Sequence, residues 1–352
     1  MSDSIQNNRL SNLSILKIIA ALLIVFHHYQ QLSKVSFDYI NFYGGKFYFG
    51  SLVELFFIIS GFLTARSYAN NKCSNFIFIT KKVLRLFPFA FLSTLATLIF
   101  HYIYFYLNGS YLFDFQFDWK QISTSFLLIN QGWVVEFFPA INNPTWYLCV
   151  LIWLLIVFVV LNILSKKTKI NPNYLYLCLI ILGLIGYKQK WDLPFLFSHD
   201  CRGYIAFFTG TIIFTITNRY SSKYIVKTNL LILVLMSIIY FFLKKHYYII
   251  LVFFTTLVLL SIYSKEIIPN TKTINILEAS SFECYLWHVP LYYLLRIIAD
   301  TYSFEIPKSF WVMIVFALIV ETTSIYIYIY MSNDLSTIVY KSFSKINLLR
   351  TH

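Results

Sequence analysis

The chain has 352 residues, of which 59% are hydrophobic, 20% aromatic and only 12% charged. A soluble domain of this length has no interior large enough for that apolar surface, so the composition excludes an ordinary soluble protein and points to lipid as the solvent. The net charge of +13 then reads as basic loops on one membrane face and not as a nucleic-acid footprint. Cys73, Cys149, Cys178, Cys201 and Cys284 form no CxxC or CxxxH pair. Neither a disulfide framework nor a zinc site is indicated, and no metal is expected.

About 20 apolar residues cross 30 Å of hydrocarbon, and in lipid such a segment satisfies its backbone as a helix. Ten runs are read as spans, at about 13–33, 48–68, 86–107, 144–164, 172–187, 203–217, 228–243, 246–263, 282–299 and 310–331, the fifth, sixth and seventh of them short. The expected fold is therefore all-α, a polytopic bundle of about ten transmembrane helices forming one domain over 1–352. The first run resembles a signal peptide, but polar residues from His27 to Gln31 follow it in place of a small-residue cleavage site, so it is read as a retained span. With the N-terminus inside, inner segments carry 17 Lys and Arg and outer loops nine, which favours N-in and C-in.

Titratable groups at bilayer depth are costly and each is a candidate for function. In helix one, Lys17 and His28 are eleven residues apart, about 20° past three turns, so they share a face about 16 Å apart. Lys17 is either a snorkelling cation or part of a path. His28 is either a hydrogen-bonded core histidine or a general base, a role its ordinary pKa suits. His27 points away from that face. In helix two, Glu54 is either a structural ion-pair partner or the partner of a core histidine or lysine, and Ser60-Gly61 permits close helix packing. Lys82 and Arg85, three residues apart ahead of helix three, are either a topology signal or a phosphate site at a helix start. The outer loop at about 108–143 has an apolar middle able to dip into the interface. Trp146 and Tyr147 open helix four, as interfacial belt or sugar platform, and Arg202 opens helix six at the outer interface. Helix nine, opening at Ser280, puts Glu283 and His288 near the inner face, where Pro290 frees a backbone carbonyl. Arg296 and Glu321 are read as members of internal pairs.

Four segments together resemble the acyltransferase-3 family of membrane enzymes that O-acetylate bacterial surface glycans. Lys17 to His28 is similar to its Arg/Lys-x10-His signature, and Glu54-Leu55-Phe56-Phe57-Ile58-Ile59-Ser60-Gly61-Phe62 to its acidic-LFF-x-x-SGF segment. Lys82-x-x-Arg85 before Leu86-Phe87-Pro88 resembles its Arg-x-x-Arg element. Ser281 to Pro290 resembles its late S-[YF]-x-x-YLxHxP segment. Two departures stand out. Leu151 occupies the acidic position of a Trp-Ser-Leu-x-x-Glu element, and Lys82 replaces the first arginine, keeping charge without bidentate geometry. The SGNH esterase-like domain fused to some members is not seen.

The resemblance implies a stand-alone O-acetyltransferase of the inner (plasma) membrane. Cytoplasmic acetyl-CoA is the implied donor and co-substrate, its phosphates on Lys82 and Arg85 with Lys17 assisting. His28 is the implied base or transient acyl carrier, oriented by Glu54. The acceptor is a hydroxyl of a surface or lipid-linked saccharide near Trp146, Arg202 and His288. The rival reading is a flippase or transporter for a lipid-linked saccharide, using the same acids and histidines as proton relays. No repeated halves support it. A glycosyltransferase would need an acidic metal pair such as D-x-D in the outer loop, and none is evident.

Overall fold

A computed structural model describes residues 11–37, 40–71, 73–137, 140–220, 222–243, 247–269 and 271–348, with backbone alone at 222–224, 241–243 and 332–348. Among these residues the chain is all helix, without a strand. The helices are α1 (Ser11–Ser33), α2 (Leu52–Ala69), α3 (Asn75–Asn108), α4 (Trp119–Phe126), α5 (Trp146–Thr168), α6 (Pro172–Gln189), α7 (Ser198–Arg219), α8 (Ser222–Leu243), α9 (Tyr247–Tyr263), α10 (Lys272–Thr301) and α11 (Phe310–Leu348). Every apolar run overlaps one of them. Among the described residues, five segments are long and apolar enough to cross a membrane by length and composition: Ser11–Ser33, Phe49–Ala69, Asn75–Asn108, Asn143–Thr168 and Phe310–Met331. Of the cations counted for orientation, Arg9, Lys72, Lys223, Lys244, Lys245, Lys341, Lys345 and Arg350 lie outside the described side chains.

Hydropathy marks the lipid-facing stretch and not the helix ends. Helix three, expected from 86, begins at Asn75, where the Ser74 hydroxyl accepts from the Ile77 amide. Lys82 and Arg85 are thus on the flank of α3, two turns in, and the expected helix-start anion site is not there. Helix nine, expected to open at Ser280, begins at Lys272, where Thr271 caps the Ile274 amide. This carries Glu283 and His288, expected near the inner face, three to four turns into α10, where His288 is level with His28. In the outer loop, the first half of the segment expected to dip, Ile122 to Gln131, lies in the short helix α4, which an Asp118–Gln121 capping box opens.

Two seams organise the core. α2 and α7 approach closely because each offers a glycine: a Cβ at Gly61 would strike the Phe207 carbonyl, and one at Gly210 that of Ile58. α10 packs against α1, α3 and α11. Pro290 has no N–H, so the Leu286 carbonyl one turn earlier loses its intrahelical donor. The Asn142 side-chain amide, from the turn before α5, donates to that carbonyl at 3.2 Å and to the Ser93 hydroxyl at 3.0 Å. The break in α10 is thereby tied to α3 and α5.

Candidate functional site

α1 and α10 meet through two polar contacts. Lys17 forms an ion pair with Glu278. The His28 and His288 rings stack with centroids 4.8 Å apart and planes 25° from parallel. The spacings, eleven residues on α1 and ten on α10, make the helices parallel and in register, with the contacts about 15–16 Å apart along the axis. The charges of Lys17, Arg85 and Glu321 also act on Glu283, a buried carboxylate with Oε2 unpartnered. Glu321 itself accepts from the Ser280 hydroxyl at 3.5 Å.

Each histidine of the stack has one nitrogen committed. His28 Nδ1–H donates to Gln31 Oε1 at 2.8 Å, and His288 Nδ1–H donates to the Cys284 carbonyl at 3.3 Å. A neutral imidazole that donates from Nδ1 keeps its lone pair on Nε2. Nε2 of His288 is buried with no hydrogen-bond partner. Two parallel imidazoles thus offer basic nitrogens in one place, an arrangement fit to take a proton from a hydroxyl or to hold that hydroxyl by its hydrogen.

Glu54 stands elsewhere. Arg202 Nε and a terminal guanidinium nitrogen reach its two oxygens at 2.5 and 3.1 Å, a bidentate pair between the starts of α2 and α7. The expected contact of Glu54 with His28 is therefore replaced. The carboxylate is only 1% exposed, and a buried charge takes the strongest counter-charge in reach. Orientation of His28 falls to Gln31, one turn along α1. The Arg202 guanidinium also lies over the Trp146 ring at 5.0 Å, and His199 packs against that ring at 4.4 Å. Trp146 is 8% exposed, so the open sugar platform expected there is filled by the protein's own groups.

A chain of side chains links the two groups. His288 contacts Tyr285 at 6.0 Å, Tyr285 contacts Tyr147 at 5.6 Å, and the Tyr147 and Ser60 hydroxyls are 2.8 Å apart. Arg202 and Glu54 act electrostatically on Tyr285. Three of the four motif segments therefore converge, and the basic one touches the group only through the charge of Arg85 on Glu283. On α3 the Lys82 ammonium lies 5.3 Å over the Phe78 ring and Arg85 is exposed. They stand three residues apart on one side of α3. Among the described residues no three His, Cys, Asp or Glu side chains are arranged to hold a metal ion.

Sequence reasoning missed Gln31, Glu278 and Tyr285. The first had a readable signal, since a residue three after a helical histidine is its neighbour. Glu278 had a fainter one, in its ten-residue spacing from His288 against eleven from Lys17 to His28. Tyr285 had one in the resemblance, as the tyrosine of the late S-[YF]-x-x-YLxHxP segment.

The model of a family described as an acyltransferase domain matches residues 10–330. Comparison with curated proteins and with solved structures found no match.

Proposed function

Because this chain belongs to the acyltransferase-3 family, we propose that it moves an acetyl group from cytoplasmic acetyl-CoA to a hydroxyl of a surface or lipid-linked polysaccharide. It does so as a ten-span, N-in and C-in protein of the inner membrane. The observation that carries this reading is the His28–His288 stack, with both Nδ1–H groups committed and an unpartnered Nε2 on buried His288.

In this reading Lys82 and Arg85 bind the donor's phosphates, and Lys17, held by Glu278, adds positive charge along the same side of α1. His28 Nε2 takes the proton of the acceptor hydroxyl as its oxygen bonds to the thioester carbonyl carbon. The C–S bond then breaks, and the proton passes to the departing sulfur, giving the ester and free CoA thiol. His288 Nε2 accepts from a neighbouring hydroxyl of the acceptor and so seats it beside His28. Gln31 keeps the His28 tautomer, while Glu54, Arg202 and Trp146 act as the packed wall of the site.

The test is transfer of labelled acetate from acetyl-CoA to the host's surface glycan in membranes holding equal amounts of wild type and His28→Ala. A base-labile acyl group on sugar that vanishes in the variant supports acyl transfer. Exported glycan that changes in amount with the gene, and never carries acyl, favours the transporter instead.

A further inference from the structure

The segment at 40–50, between α1 and α2, is strapped across the end of the bundle where α1 finishes. Gln30 Oε1 accepts from the Phe42 and Tyr43 amides at 2.6 and 3.0 Å, and buried His27 donates from Nδ1 to the Phe42 carbonyl at 2.8 Å. On the far side the Tyr240 hydroxyl donates to the Lys46 carbonyl at 2.8 Å. His27 is thus a fastener for the strap, which accounts for a second histidine beside the candidate base.

The strap presents two rings outward. Tyr43 is 43% exposed and Tyr48 40% exposed, yet each meets the His27 ring edge-on at 5.2 Å. His27 in turn meets His28 at 5.0 Å. A continuous set of ring contacts therefore runs from solvent-accessible tyrosines to the candidate base and on to His288. Tyr48 also lies within the electrostatic reach of Arg202 and Glu54. Trp146, the other aromatic candidate at this end, is already covered.

Amphipathic rings that pair an apolar face with a hydroxyl suit the C–H faces and hydroxyls of a pyranose, and they lose little conformational entropy on binding. We propose that Tyr43 and Tyr48 form the binding subsite for the acceptor saccharide, seating a sugar ring on the strap beside His27, whose ring meets that of His28. The inference rests on the acyl-transfer reading and adds where the acceptor binds. Two exposed tyrosines at a membrane interface also serve as lipid anchors in many proteins, and the test separates the two roles.

Gly50 supplies a handle on Tyr48, because a Cβ there would sit 2.7 Å from the tip of the Tyr48 ring and push it aside. The experiment uses detergent-solubilised full-length protein, radiolabelled acetyl-CoA and the host's delipidated surface polysaccharide as acceptor. Tyr43→Leu, Tyr48→Leu and Gly50→Ala should each raise KM for the polysaccharide about three- to tenfold. KM for acetyl-CoA and kcat should stay within about twofold, and Tyr48→Phe, which keeps the ring, should restore near wild-type KM. If either leucine variant proves unfolded, Gly50→Ala against Tyr48→Phe decides. Wild-type KM for the polysaccharide in Gly50→Ala and the leucine variants assigns the rings to lipid anchoring and overturns the subsite. A fall in kcat at constant KM does the same, assigning the strap to support of the histidines. A wild type that labels nothing from acetyl-CoA overturns the acyl-transfer reading, and the subsite with it.

Discussion

The α1–α10 and α2–α7 seams are both parallel helix pairs with charged or titratable groups buried at their contacts, and they use them differently. At the α2–α7 contact the buried charges are matched. Glu54 and Arg202 saturate each other bidentately, and Gly61 and Gly210 let the backbones touch. Along α1–α10 the match is incomplete: the histidines stack, each gives away one proton, and His288 keeps a buried lone pair without a donor. Burying an unsatisfied polar atom costs about 1–3 kcal/mol, so such an atom is expected where a ligand completes it. The satisfied seam holds the fold, and the unsatisfied one is where we place the proposed chemistry.

Substitutions separate the two roles. The largest effect belongs to His28→Ala, which should lower acetyl transfer by about 10²–10⁴-fold while thermal unfolding in detergent stays near wild type. A large drop in melting temperature would reassign His28 to the core and break the comparison. Glu54→Ala should do the reverse. It strands Arg202 in a buried site, at a cost of about 3–5 kcal/mol, read as a lower unfolding temperature and lower membrane yield. Glu54→Leu with Arg202→Met should recover much of that loss, and failure to recover would make the charges themselves functional. Gly61→Ala forces a methyl against the Phe207 carbonyl and should cost about 1–3 kcal/mol, again in stability at constant activity per folded molecule. Smallest and most specific is Gln31→Ala. It frees the His28 ring and should lower kcat about tenfold, about 1.4 kcal/mol, with KM for acetyl-CoA unchanged; unchanged kcat would remove Gln31 from the site.

Much of the architecture was legible before any fold was known. Hydrophobic runs near 20 residues long have no other solution in lipid than helices, so each run coincides with a helix. The freed carbonyl near Pro290 was readable too, because proline chemistry is local. Helix ends were not. The first turns of α3 and α10 interleave apolar residues with polar and charged ones, so no unbroken apolar run marks them, and both helices start well before their apolar runs. That shift moved Lys82 and Arg85 off a helix start and raised His288 to the level of His28.

The sequence by itself determined the solvent, the helices and the chemical types at the site, because composition, run length and helical spacing are properties of the chain alone. His28 sharing a face with Lys17 belongs to that class, since one helix sets it. Which groups meet across helices was decided only by tertiary packing. Glu54 lay as open to a histidine as to an arginine until α2 and α7 came together. The glycines that let those helices close, and the large cost of leaving a buried carboxylate uncompensated, gave it to Arg202 and left His28 to Gln31 and His288.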